Sequence, residues 1–348
     1  MKILHVITSL RTGGAERLMV DMLLRMKAKG HEVDLCVFDG VRTPFYEELG
    51  SKGVRVIPLG HSVYSLVNLF KLIPLMRGYD IVHSHNTACQ YFVAIASFFS
   101  KCKIYTTEHN TSNRRRNGWW RMLDRWMYGR YDKVVCISEL TKKNLLQHIG
   151  DSFEKKCVII YNGIDLTAFA NSSLPSNGKT ILMVSAFREQ KDQETLIKAM
   201  KELPSDYMLK LAGGGEERLI NKCKQLVQKL HLDERVKFLG VRTDIPALLN
   251  AANVVVLSSH YEGLSLSSLE GMASGRPFVA SDVEGLRDIV GGYGVLFPHG
   301  DSIALANIIR KLCEDALYAK EVAVRCQARA KMFDVETMVQ NYLNLYQK

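Results

Sequence analysis

Long apolar runs are missing from this 348-residue chain. The longest, Tyr91 to Phe99, is about half of the roughly 20 residues that a membrane-spanning helix needs, which excludes a helical membrane span. The opening stretch Met1-Lys2-Ile3-Leu4-His5-Val6-Ile7 enters a strand pattern directly, without the apolar core and small-residue cleavage site of a signal peptide. The expectation is a protein that stays in the cytoplasm. No C-x-x-C pair occurs among the eight cysteines, and several sit in apolar patterns such as Val134-Val135-Cys136-Ile137, so they read as reduced core thiols. Low-complexity tracts are absent as well, and no glycine triplet of the G-x-G-x-x-G kind follows the first strand, which weighs against a dinucleotide-dependent dehydrogenase.

What is present is a well-folded composition, 47% apolar and 24% charged, on a chain long enough for two cores. The formal charge of +10 is uneven. Residues 1–165 carry 24 Lys and Arg against 15 Asp and Glu, whereas residues 166–348 carry 22 against 21. A basic partner surface therefore belongs to the N-terminal half, where a phosphorylated substrate, an anionic membrane surface or nucleic acid fits the bias.

Short β-rich runs alternate with helical patterns throughout, the signature of parallel sheets covered by helices and hence of an α/β fold. Strands are predicted near 2–7, 33–38, 54–57, 80–83, 103–107, 132–137 and 157–160, and again near 180–184, 207–211, 235–239, 253–257, 277–280 and 293–296. Ala15, Leu18, Met19, Met22, Leu23 and Met26 mark one face of a helix that Gly30 ends. Turn formers cluster without periodicity only between Asn162 and Gly178, which is the best place for a domain boundary. The predicted organisation is an N-terminal half over 1–165, a C-terminal half over 166–332 and a closing helix over 333–348. Such halves bind ligands in a cleft at the carboxyl ends of their strands.

Five constellations at those strand ends carry polar chemistry. Gly13-Gly14-Ala15-Glu16 opens the first helix; free N–H groups there suit a phosphate, and a ligand-free glycine turn is the alternative. Tyr261-Glu262-Gly263-Leu264-Ser265 through Glu270 follows a buried strand, placing Glu262 in a loop and Glu270 in the next helix. The carboxylates suit sugar hydroxyls, and the N–H groups of Gly263, Leu264 and Ser265 suit an anion; Ser267-x-x-Glu270 also spells a capping box. Arg188 and Lys191, after the first strand of the second half, fit a diphosphate or an ordinary charged loop. Glu108, His109 and Asn110 end one strand, and His83-Ser84-His85-Asn86 ends another. Of these, Glu108, Asn110, His85 and Asn86 are acceptor-binding candidates, while His83 reads as a satisfied core histidine; no third ligand at zinc-like spacing accompanies the histidines. Finally, Arg114-Arg115-Arg116 stands beside Trp119, Trp120 and Trp126, a composition for a bilayer interface or for an ordinary amphipathic helix. No recognised nucleic-acid motif goes with it.

The Gly-Gly loop and the Glu262-x7-Glu270 motif, with Gly240-Val241, Asp282-Val283-Glu284-Gly285 and the final helix, resemble the family-4 retaining glycosyltransferases over essentially the whole chain. That resemblance implies the GT-B fold: two facing Rossmann-like domains, the acceptor in the first and the nucleotide sugar mainly in the second. It implies that Glu270 holds the ribose hydroxyls and Glu262 the donor sugar, with Gly13, Gly14, Arg188 and Lys191 at the diphosphate. Val241 lies near the base and His109 close to the anomeric carbon. The family's usual arginine five residues before the lysine is Ala186 here, and Arg188 takes its place by proximity. The implied donor is a UDP-sugar, no metal cofactor is required, and no side chain serves as a nucleophile. The acceptor hydroxyl attacks from the face that the nucleotide leaves. A saccharide on a lipid carrier, used for surface polysaccharide at the inner face of the cytoplasmic membrane, is the expected acceptor, and nucleic acid is not an expected partner. A nucleotide-sugar epimerase of the same architecture and a non-catalytic sugar-binding protein are the rival readings.

Overall fold

The structure, a computed structural model, describes residues 1–11, 13–60, 62–109, 118–169 and 178–348. The chain divides into two compact units, Met1–Gly163 with Val335–Lys348, and Ile164–Asp334.

The first unit is built on β1 (Lys2–Ile7), β2 (Glu32–Val37), β3 (Arg55–Pro58), β4 (Ile81–His85), β5 (Lys103–Glu108), β6 (Lys133–Cys136) and β7 (Cys157–Ile159). They form one parallel sheet in the order β3-β2-β1-β4-β5-β6-β7. Helices α1 (Gly14–Ala28), α2 (Pro44–Ser51), α3 (Leu66–Met76), α4 (Thr87–Ala96), α5 (Trp119–Arg130) and α6 (Glu139–Ile149) make the crossovers. The second unit has β8 (Thr180–Val184), β9 (Met208–Ala212), β10 (Val236–Gly240), β11 (Val254–Leu257), β12 (Phe278–Ser281) and β13 (Val295–Phe297), ordered β10-β9-β8-β11-β12-β13. Its helices are α7 (Gln193–Glu202), α8 (Glu217–Lys229), α9 (Ile245–Asn250), α10 (Leu266–Ala273), α11 (Leu286–Val290), α12 (Ser302–Glu314) and α13 (Ala316–Ala330). Helix α14 (Val335–Gln347) closes the chain and belongs to the first unit.

Every strand predicted from the sequence is present, β1 and β8 with the predicted bounds and the others with ends that differ by no more than two residues. Burial explains the legibility of a central strand such as β11, which is buried at every position and reads as a continuous apolar run, Val254-Val255-Val256-Leu257, rather than an alternating one. Helix α1 buries Leu18, Met19, Val20, Met22, Leu23 and Met26 against the sheet. Ala15, expected on that face, is exposed because it lies in the first turn, beyond the sheet edge. All eight cysteines are unpaired, and six of them are buried.

In each sheet the strand order reverses once, between β1 and β4 and between β8 and β11. Crossovers leave a reversal point in opposite directions, so their loops part at the carboxyl ends and open a crevice there. The loops after β1, β4, β8 and β11 hold most of the residues singled out above.

Candidate functional site

In the second unit, the loops after β8 and β11 are tied together at the reversal point. Lys191 and Ser259 form an antiparallel bridge, the Asp192 N–H donates to Ser258 O at 3.1 Å, and the His260 N–H donates to Gln190 O at 2.9 Å. This stitching presents Glu262 to Lys191. The Glu262 carboxylate is 4% exposed and takes three donors: Lys191 Nζ and Ser259 Oγ (2.7 Å) on Oε1, and Gln190 Nε2 (3.0 Å) on Oε2. Burial of a carboxylate is tolerable only with this kind of pairing. Arg188 stands apart on the same loop, exposed and without an ion pair among the described residues. Thus Lys191 is held at the carboxylate, whereas Arg188 is a solvated cation free to meet a ligand.

Two sequence expectations change here. Helix α10 begins at Leu266 with Ser265 as its N-cap. Gly263 and Leu264 therefore lie in the loop, and the first free N–H groups of the helix belong to Leu266 and Ser267. Because Ser267 is inside the helix, it does not cap it, and the Ser267-x-x-Glu270 capping box does not form. Glu270 is partly buried in the middle of α10. Gly285 explains how close the neighbouring loop comes: at φ +91°, a Cβ there would lie 2.3 Å from Glu262 O.

A third loop was missed in the sequence. Gly213-Gly214-Gly215 follows β9 and packs on the loop after β8, where Phe187 N–H donates to Gly214 O at 2.8 Å and Glu216 N–H donates to Phe187 O at 2.9 Å. A Cβ on Gly213 would fall 2.0 Å from Ser185 O, and one on Gly214 would fall 2.7 Å from Val241 Cγ2. Val241, expected near a base, is exposed beside this turn. Three consecutive glycines directly after an apolar strand were the available signal.

In the first unit, Gly13 is the N-cap of α1 with no side-chain cap, and Gly14 is exposed at the first helical position. The Glu16 carboxylate folds back over this end, 2.2 Å from where a Gly13 Cβ would be. An acid at a helix N-terminus occupies the place an anionic ligand would take. Across the reversal point, Asn86 adopts φ +73° at the N-cap of α4 and its Nδ2 donates to Thr8 Oγ1 at 3.4 Å.

Four histidines converge beneath this edge. His5, His83 and His85 are stacked and buried, with ring centroids 4.6–5.4 Å apart. His5 Nδ1 meets His85 Nε2 at 3.0 Å, and His85 Nδ1 meets His109 Nε2 at 3.2 Å. Burial lowers the His5 pKa to about 3 and that of His109 to about 4, and it drives His83 and His85 well below the usual histidine range. All four rings are therefore neutral at pH 7. His83 is satisfied by Thr107 Oγ1 (2.8 Å) and by the Tyr346 hydroxyl of α14 (2.7 Å), as its core reading requires. His85 has both nitrogens engaged by other histidines, so it supports His109 rather than facing an acceptor. Glu108, also an acceptor candidate, is 4% exposed and accepts the Tyr128 hydroxyl at 2.6 Å, which places it in the unit's interior. Asn110 and Arg114-Arg115-Arg116 lie outside the described residues.

Helix α5 turns a different face inward than its tryptophans. It buries Asp124, Met127 and Tyr128, and Asp124 accepts from the Tyr91 hydroxyl and from His148 Nε2. Trp119, Trp120, Met122, Leu123 and Trp126 are exposed, Trp119 at 82%. Phe98 stacks on Trp126 and lies under Arg130, so apolar and basic groups share this surface. Among the described residues no helix is long and apolar enough to cross a membrane. Among them, one group brings metal-type ligand atoms within 4.8 Å of one another, Asp192 with His260 and His299. There Asp192 is already the N-cap of α7, accepting from Thr195 N–H and hydroxyl, and the two imidazoles bond each other at 2.8 Å.

Comparison with known proteins accounts for both units. Residues 12–168 match the family described as Glycosyltransferase Family 4, and residues 166–332 match Glycosyl transferases group 1. A glycosyltransferase of Methanocaldococcus jannaschii whose activity is uncharacterised is 25% identical over 353 residues, covering 96% of this chain and 95% of its own. The UDP-Gal:alpha-D-GlcNAc-diphosphoundecaprenol alpha-1,3-galactosyltransferase of Escherichia coli is 27% identical over 311 residues, covering 80% and 76%. Among solved structures, Anabaena HepE in complex with UDP and glucose superposes with a TM-score of 0.89 at 25% identity over the full length of both chains.

Proposed function

From the premise that this chain is a GT-B glycosyltransferase of the family 4 type, we propose that it is a retaining enzyme using a UDP-sugar and a lipid-linked saccharide acceptor. The observation that carries the donor half is the Glu262–Lys191 pair at the reversal point of the second sheet, flanked by the exposed Arg188. A diphosphate brings negative charge that competes with Glu262 for Lys191. Donor binding then frees a buried carboxylate to accept sugar hydroxyls, and the released lysine with Arg188 offsets the charge of the leaving nucleotide. Glu270 in α10 takes the ribose hydroxyls, and Val241 with the turn at Gly214 lies along the base. With two cations already placed, the reaction is proposed to need no metal.

The glucose- and UDP-bound HepE structure and the UDP-Gal-named E. coli relative support a UDP-sugar; that relative's name also supports an acceptor on a diphosphoundecaprenol carrier. The exposed tryptophan face of α5, bordered by arginines, suits a protein working at an anionic membrane surface where such an acceptor resides, as in surface polysaccharide assembly. His109 stands at the sugar in the first unit. No side chain is assigned as a nucleophile: the acceptor hydroxyl attacks on the face the nucleotide leaves, and the departing phosphate takes its proton.

Turnover with a panel of UDP-sugars and undecaprenyl-diphosphate saccharides tests this. Glu262→Gln is expected to cripple transfer while bare UDP still binds, whereas Glu270→Gln weakens both. Interconversion of a UDP-sugar without any acceptor would establish the epimerase instead, and binding with no turnover in the wild type would establish a sugar-binding protein.

A further inference from the structure

The three imidazoles of His5, His85 and His109 form one hydrogen-bonded row, joined at 3.0 and 3.2 Å. Each neutral ring carries one N–H proton, and two bonds consume two of the three. The third must sit at one end of the row. One end is His5 Nε2, which is fully buried and has no hydrogen-bond partner. The other is His109 Nδ1, on a residue that is only partly buried and lies just past the carboxyl end of β5. A buried N–H with no acceptor is among the rarest arrangements in folded proteins, whereas an unfilled lone pair is tolerated more often. The proton therefore belongs at the outer end.

We propose that His5 and His85 are positioning residues that fix the tautomer of His109, so that His109 presents Nδ1–H, a hydrogen-bond donor, to an oxygen of the bound substrate. In this order His5 Nδ1–H donates to His85 Nε2, and His85 Nδ1–H donates to His109 Nε2. A ring held this way polarises along the row, because each donor is strengthened by the one behind it. His83 stacks on the row without entering it: its two nitrogens are committed to Thr107 and to Tyr346 of α14, which keeps His5 and His85 in place from the side. The substrate oxygen is a hydroxyl or ring oxygen of the donor sugar, an assignment that rests on the transferase reading; the tautomer itself does not.

The experiment uses the full chain with ¹⁵N- and ¹³C-labelled histidine, the His109 resonances being assigned with His109→Gln. Ring nitrogen shifts at pH 7 are expected to show His109 protonated at Nδ1. A ring protonated at Nε2 would overturn the proposal. His85→Asn keeps an N–H in the place of Nδ1, whereas His85→Asp puts an acceptor there and reverses the row. Under the proposal, His85→Asp moves the His109 proton to Nε2 and lowers kcat about tenfold or more with little change in donor KM, and His85→Asn recovers a large part of that loss. Equal kcat for the two variants, with both folded, would overturn the relay. Should either fail to fold, the wild-type spectrum still decides. If His109 is protonated at Nδ1 and no UDP-sugar is turned over, the transferase reading fails and the row stands.

Discussion

Acid should unfold the first unit well before ordinary carboxylate titration does. Its His5 and His109 are held neutral with pKa values near 3 and 4, against a value of 6.5 for an unburied histidine. Because the folded pKa is depressed, the unfolded chain binds protons first as pH falls. The stabilising contribution is complete above about pH 6.5 and is lost progressively from there down to about pH 4 for His109 and about pH 3 for His5. For each of these two rings the linkage integral between pH 7 and pH 5 is about 2 kcal/mol, so together they remove about 4 kcal/mol. His83 and His85, shifted in the same direction, add to the loss. Against a typical stability of about 5–15 kcal/mol, this is enough to bring the unit close to unfolding at pH 5. Urea titration followed by tryptophan fluorescence reads this unit selectively, since all three tryptophans lie in α5. His5→Asn should flatten the dependence. An unfolding free energy that changes by less than about 1 kcal/mol between pH 7 and pH 5 would refute the burial argument for these rings.

Lys191→Met should lower stability by about 1–3 kcal/mol, since it leaves the buried Glu262 carboxylate with only Ser259 and Gln190 as donors. Adding Glu262→Gln should recover part of that cost, and strict additivity in urea unfolding would deny the coupling. Gly285→Ala forces a side chain into the left-handed region against Glu262 O. A loss of about 1–3 kcal/mol is expected, together with reduced transfer, and a neutral melting temperature would contradict it. Anionic liposomes should retain the protein at low salt and release it as salt rises, with Trp119→Ser/Trp126→Ser weakening retention. Equal retention on neutral vesicles would argue against the basic component of that surface.

Much of the site was legible from residue order because parallel α/β sheets place loops predictably: a turn after an apolar strand is at the carboxyl edge. This located Lys191, Glu262 and the Gly13-Gly14 turn. Side-chain direction was less accessible. Glu108 and His109 are adjacent in sequence, yet strand alternation sends Glu108 inward to Tyr128 and leaves His109 at the edge. Ser267-x-x-Glu270 spells a cap only if Ser267 is the N-cap, two residues beyond the N-cap that α10 uses, Ser265, and the Gly213–Gly215 turn carries no polar side chain to mark it, since its glycines let two loops touch.

Sequence by itself determined the alternation of strand and helix, the two sheets, the reduced cysteines and the family, since these follow from apolar periodicity and from motifs read in order. Only the tertiary structure decided which charges meet. Lys191 and Glu262 are 71 residues apart, and His5 lies 80 residues from His85. Pairings at such separations depend on strand order, on how far each loop is drawn in and on how little water is left around the pair. None of these is written in the local sequence.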